Sequence, residues 1–345
     1  MDLINNENYQ KYIQYYGFKK FCKADIQYLT VLDLYFYGIG DEGFELLTQM
    51  DGIQSLTNLN IGSCHISHKG IKFIANIILP RLTSLYLGGN NIDNTGIIYI
   101  AEFLKNNKSL KELYLNDNDI NINEIQFTPE SFNNLIELHL DENEIGVNGA
   151  KFIADLLILS KQLKILSLAN NIIKNEGIKY IADALKINKS LICLYLDHND
   201  IDDEGAEYIA DALKINRCLT VLYIGYNDFS IKGIKFIINA LYDFEFSKSH
   251  LTTLDLESCY NRDINDNVAE YIIELLNVNK CLTRLYLNID NIRKYETINK
   301  LLKNNIINKE KIKEERAEEK VYFAVLLQVL YWQFEFLEFF DELYY

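Results

Sequence analysis

The chain has two prolines, one tryptophan and two methionines in 345 residues, and its 34 Lys and Arg are outnumbered by 49 Asp and Glu. So little proline excludes collagen-like and proline-rich classes, and 49% hydrophobic residues exclude a disordered chain. The basic deficit leaves a net charge of -15. A nucleic-acid-binding surface needs clustered Lys and Arg to displace counterions, so that function is set aside. If charge guides association, it favours a basic protein partner. The six cysteines (Cys22, Cys64, Cys193, Cys218, Cys259 and Cys281) are far apart and form no CxxC pair. A secreted disulfide scaffold would space them densely, so reduced thiols in a cytosolic milieu are expected. The N-terminal residues show no apolar signal core or small-residue cleavage site, which gives the same expectation.

Catalytic signatures are missing too. There is no Walker loop, GxGxxG, GxSxG or HExxH. Cys64-His65-x-x-His68 has the composition of a metal cluster, but Cys64 occupies an inward position and should point away from His65. Asp197 to Gly205 has the composition of a calcium loop, but Ile201 stands where the third oxygen ligand belongs. His139, with Glu137 and Asp141 nearby, is the one catalytic-looking group, and its only neighbouring nucleophile is Ser167 in the next unit. No enzyme activity, metal or cofactor is expected.

What the sequence has in abundance is self-similarity. Leu163–Asn171 reads LKILSLANN, 191–199 reads LICLYLDHN and 219–227 reads LTVLYIGYN, on the template LxxLxLxxN. Ten such units begin at Leu29, Leu56, Leu82, Leu110, Leu135, Leu163, Leu191, Leu219, Leu251 and Leu282, most about 28 residues apart. Leucines one, four and six of a unit should point inward from a short strand. Asparagine nine (Asn90, Asn118, Asn143, Asn171, Asn199, Asn227) should bond backbone groups where the chain leaves the strand. Cys64, Cys259 and Asp290 replace it in units two, nine and ten, and Tyr37 in unit one. A glycine follows (Gly43, Gly70, Gly96, Gly149, Gly177, Gly205, Gly233), where either a positive φ or a crowded approach is expected. Next comes a helical stretch such as Ile178–Lys186, IKYIADALK. The fourth unit lacks its glycine, and Thr128-Pro129 there predicts an N-cap and first helical residue.

This pattern resembles the leucine-rich repeat family, in its 28-residue, helix-bearing, ribonuclease-inhibitor-like form. The resemblance implies an α/β solenoid curved into a horseshoe, with parallel strands on the concave face and helices on the convex one. It also implies protein binding on the concave face or its edge. Proteins of this kind include inhibitors, sensor regions of NOD-like receptors, GTPase activators and secreted effectors of intracellular bacteria. The expected role is therefore a scaffold, sensor, inhibitor or host-directed effector, which would place it in a cytoplasm, its own or a host's. The alternative is a small-GTPase activator, for which Arg262 in the ninth unit is the loop arginine to consider. Three segments are expected: an N-terminal helical cap (1–28), the solenoid (29–305) and a C-terminal helical segment (306–345). Residues 321–345 carry a narrow polar stripe on an apolar helix. Capping the last repeat is the favoured role, with partner or self-association and a tail anchor as alternatives.

Position five is the centre of the concave face, and five of its ten occupants are tyrosine: Tyr86, Tyr114, Tyr195, Tyr223 and Tyr286, with His139 and Asp255 in the same column. Flanking positions add Glu112, Asp117, Glu137, Asp141, Asp197 and Tyr226. Tyrosine supplies contact area at low entropic cost, and carboxylates steer a basic partner. Tyrosine also suits a solvated strand on its own account. The expected site is this aromatic and acidic face. Nine basic and ten acidic residues from Arg293 onward leave nearly all of the acid excess in the first 292.

Overall fold

The computed structural model describes residues 29–122, 128–242, 250–257, 266–287, 293–311 and 313. The expected N-terminal cap, the apolar tail and Arg262 lie outside them. Within them, ten strands of three residues form one sheet in chain order: β1 Val31–Asp33, β2 Asn58–Asn60, β3 Ser84–Tyr86, β4 Glu112–Tyr114, β5 Glu137–His139, β6 Ile165–Ser167, β7 Cys193–Tyr195, β8 Val221–Tyr223, β9 Thr253–Asp255 and β10 Arg284–Tyr286. Every neighbouring pair is parallel, with the fifth residue of one repeat opposite the fifth of the next. The return segments are α1 Gly40–Thr48, α2 His68–Ile71, α3 Asn94–Asn106, α4 Gly146–Leu159, α5 Lys174–Ile187, α6 Asp203–Ile215, α7 Ile231–Ala240 and α8 Asp266–Val278, followed by a helix over 293–311 (α9). Packed helices need about 8–10 Å each and paired strands about 4.8 Å, so the stack curves with the strands inside. The α/β solenoid expected from the repeats is the fold found.

The leucine positions explain the core. In the sixth unit Leu163, Leu166 and Leu168 are all buried, and Ile178, Ile181, Ala182 and Leu185 of α5 close over them. Each of the buried leucines and isoleucines contributes about 1.5–3 kcal/mol. The same inward row recurs from Leu29 to Leu287, so the core is one continuous ribbon.

The asparagines at position nine are buried and work across repeats. Asn199 Oδ1 accepts the amides of Asn171 and Ile173 at 3.1 and 3.2 Å, while its Nδ2 donates to the carbonyls of Leu168, Leu196 and Asp197. The residue at position eight is left-handed: Phe36, Ser63, Gly89, Asp117, Glu142, Asn170, His198 and Tyr226 all have φ between 51° and 69°. That twist turns position nine inward and position eight outward. A second asparagine column was not anticipated. Asn107, Asn188, Asn216 and Asn279 each stand three residues before the next repeat's first leucine and are buried. Asn188 accepts the amides of Ser190 and Leu191 and donates to Leu157 of the preceding unit.

Of the two roles expected for the helix-entry glycines, crowded approach is the one found and positive φ is not; Gly177 and Gly205 are helical. They are glycine for closeness: a Cβ at Gly205 would stand 2.5 Å from Ile201 Cγ2 and 2.6 Å from Asn175 Oδ1. In the fourth unit, Thr128-Pro129 opens only a single 3-10 turn, Pro129–Phe132, and Thr128 makes no side-chain cap bond. The short unit has no room for more. Phe132 at the end of that turn packs edge-on against Phe152 of α4.

Candidate protein-binding face

The strands deliver position five of all ten repeats to one row, running Asp33, Asn60, Tyr86, Tyr114, His139, Ser167, Tyr195, Tyr223, Asp255 and Tyr286. The aromatic residues of that row stack. Tyr86 lies 4.4 Å from Tyr114, and Tyr114 lies 4.3 Å from His139, with ring planes 12° apart in both pairs. Ser167 is buried and interrupts the stack. Tyr195 and Tyr223 form a second pair at 4.7 Å, and Tyr286 lies 6.1 Å from Tyr223 across the smaller Asp255. Tyr226 belongs to a separate column, where it stacks on His198 at 4.6 Å.

The carboxylates divide by environment. Glu112 Oε2 accepts from the Ser84 hydroxyl at 2.7 Å, and Glu137 Oε2 accepts from the Tyr114 hydroxyl at 3.1 Å. Asp141 accepts from the Ser167 hydroxyl and from the Ala169 amide. Asp117 is exposed. Asp197 is pushed up to about 7, chiefly by burial and then by Asp255 and Asp141, with two backbone amides partly offsetting them. Asp255 is raised by its own burial; the Glu257 amide, which donates to it, offsets part of this, and the Glu257 carboxylate adds a smaller rise. Burial beside Glu137 also raises Tyr114, and burial beside Cys193 raises Tyr195, so these phenols stay neutral hydrogen-bond donors.

The structure separates the groups that looked catalytic. Ser167 donates to Asp141 and not to His139. His139 is held by its ring stack and lies 3.7 Å from Glu137 and 3.9 Å from Asp141, beyond hydrogen-bond distance. Cys64 faces inward and donates its thiol to the Leu34 carbonyl, while His68 pairs with Asp93 at 2.8 Å. No group of three or more metal-ligating side chains occurs among the described residues, and no helix among them is long and apolar enough to cross a membrane.

The first repeat adds residues that the sequence reading passed over. Tyr35 and Phe36, at positions seven and eight, are 53% and 73% exposed and meet edge to face at 5.0 Å. Their signal in the sequence is two aromatic residues at positions seven and eight of the first unit.

A sequence profile described as Leucine Rich repeat matches residues 52–75, 80–101, 133–154 and 188–210, which fall on the second, third, fifth and seventh units. These matches and the ten-unit α/β solenoid support a leucine-rich repeat protein. Repeats of this family typically act as non-enzymatic interaction modules. Solved structures similar to this leucine-rich repeat chain include actin-binding site 2 of leiomodin-1, at 25% identity and a TM-score of 0.39, covering 42% of this chain and 81% of that one. Another is the tropomodulin C-terminal domain of Caenorhabditis elegans, at 14% identity and a TM-score of 0.42, covering 50% and 98%. No curated protein matches the sequence.

Proposed function

We propose that this repeat protein is a non-enzymatic binding module that holds a basic protein on the aromatic, acidic row of its strands. The observation that carries the reading is the pair of stacked aromatic runs, Tyr86–Tyr114–His139 and Tyr195–Tyr223, edged by Glu112, Glu137, Asp141 and Asp197. Stacked rings are pre-ordered, so they lose little side-chain entropy on binding, which is the condition for a hot spot. The carboxylates supply long-range attraction for a cationic surface and select against acidic ones. Asp197 deepens that preference, because a cation beside it favours its ionised form.

The test is affinity capture with the full chain beside a variant carrying Tyr114→Ala, Tyr195→Ala and Tyr223→Ala, both shown to be folded by circular dichroism. The reading expects a partner of high isoelectric point that is recovered by the wild type, released by raised salt and lost in the variant. Equal recovery by both proteins would overturn it.

A further inference from the structure

The aromatic row begins only at the third repeat, and the second repeat beside it is left open. Position five there is Asn60, whose Oδ1 accepts from its own Gly62 amide at 3.1 Å and so folds back toward the turn. Position seven is Gly62, then Gly88 in the next unit, with Gly89 beyond it. Gly62 and Gly88 are closely approached by their neighbours, and Gly89 is left-handed at φ 69°. A Cβ on Gly62 would lie 3.0 Å from the Tyr35 ring and 3.0 Å from the Gly88 carbonyl, and one on Gly88 would lie 2.6 Å from Asn116 Oδ1. The result is an open depression of about 190 Å³. Its lining includes Tyr35 and Tyr86, Gly62, Gly88 and Gly89, and Asn116 and Asp117.

Its chemistry selects a guest. Tyr86 gives one ring face to Tyr114, so its other face turns toward Asn60 and the depression. An apolar guest would strand the amide and carboxylate groups of the lining without water. An acidic guest would meet Asp117, with Asp33 exposed in the same strand row. A planar cation suits both features, because guanidinium stacks on an aromatic face, sheds its hydration readily and donates in a fork. We propose that this depression receives an arginine side chain, its guanidinium stacked on Tyr86 and hydrogen-bonded by Asp117 and Asn116. The proposal rests on the reading of the face as a receptor for a basic protein and supplies a specific anchor for it.

The experiment uses the full chain labelled with ¹⁵N at glycine, titrated with acetyl-Gly-Arg-Gly-amide and with the same tripeptide carrying citrulline, the neutral isostere. The expected result is saturable shifts of the Gly62, Gly88 and Gly89 amides, with a dissociation constant on the order of 1 mM, and binding of the citrulline peptide about tenfold weaker. Asn60→Tyr should abolish the shifts, because it fills the gap with a ring that continues the stack on Tyr86. Asp117→Asn, at an exposed left-handed site where asparagine is well tolerated, should weaken the arginine peptide about fivefold. Absent or unsaturable shifts would overturn the proposal, as would equal response to both peptides or full binding by Asp117→Asn. A protein partner kept by Asn60→Tyr but lost by the tyrosine triple variant would overturn the arginine slot and leave the wider face reading intact. Saturable arginine binding with no partner captured would leave the slot standing and count against the face.

Discussion

Asn199 shows what one residue does in this architecture. It is fully buried and serves five backbone groups in two repeats. Asn199→Ala should leave the amides of Asn171 and Ile173 unsatisfied, at about 1–3 kcal/mol each. A fall in the thermal midpoint well beyond that of exposed Asn106→Ala, measured by circular dichroism, would confirm it. Asp197 behaves oppositely. Its folded-state pKa of about 7 lies above the usual carboxylate range, so between about pH 4 and 7 the folded chain holds more protons than the unfolded one. Stability from this group is therefore full below about pH 4 and is lost as pH rises through 7. Asp197→Asn should stabilise the protein by on the order of 1 kcal/mol at pH 8 and change little at pH 4, allowing for partial solvent screening. Denaturant titrations at the two pH values decide it. The same ionisation should make a basic partner bind more tightly at pH 8 than at pH 6, with proton release visible by calorimetry in buffers of different ionisation enthalpy.

The elements were legible to different degrees. Leucines at one, four and six and the asparagine at nine are periodic, so the strands, the turn and the inward face follow directly. The left-handed residue at position eight was not legible, because Phe, Ser, Asp, Glu, Asn, His and Tyr all occupy it and the ladder bonds impose its φ. The second asparagine column was legible in principle. Asn188-Lys189-Ser190-Leu191 and Asn216-Arg217-Cys218-Leu219 repeat a pattern that attention to the leucine template hid. Contacts between helix starts were illegible, since they join residues about 27 positions apart. Asp41 accepts from the Ser67 amide and hydroxyl and from the Gly70 amide, and Asp203 does the same for Ser230 and Gly233. The helix-entry glycines make a testable case at this scale. Alanine has the better helix propensity, so Gly205→Ala would stabilise an isolated helix by about 1 kcal/mol. Here it should destabilise by about 1–3 kcal/mol, because its Cβ meets Ile201 and Asn175. Chemical denaturation measures the sign, and a stabilised variant would contradict the close-packing explanation.

At the scale of the whole molecule, the repeat converts a sequence column into a surface row. That is why the position-five tyrosines could be placed on one face from the sequence, and why the register carries them there without exception among the described strands. What a column cannot show is how its members divide. The two stacked runs, the gap at Asn60 and the buried Ser167 and Asp255 between the rings depend on side-chain size against the strand spacing. The face is thus a segmented one, with rings as ridges and small residues as slots, and a partner should meet it with alternating cationic and apolar groups. The most direct measurement is zero-length carboxylate-to-lysine cross-linking of the captured complex, mapped by mass spectrometry. Links from Asp117, Glu137, Glu142 and Asp197 to lysines of the partner are the expected result. Links confined to helix-side carboxylates such as Glu176, Glu204 and Glu207 would place the partner on the opposite face and contradict the proposed function.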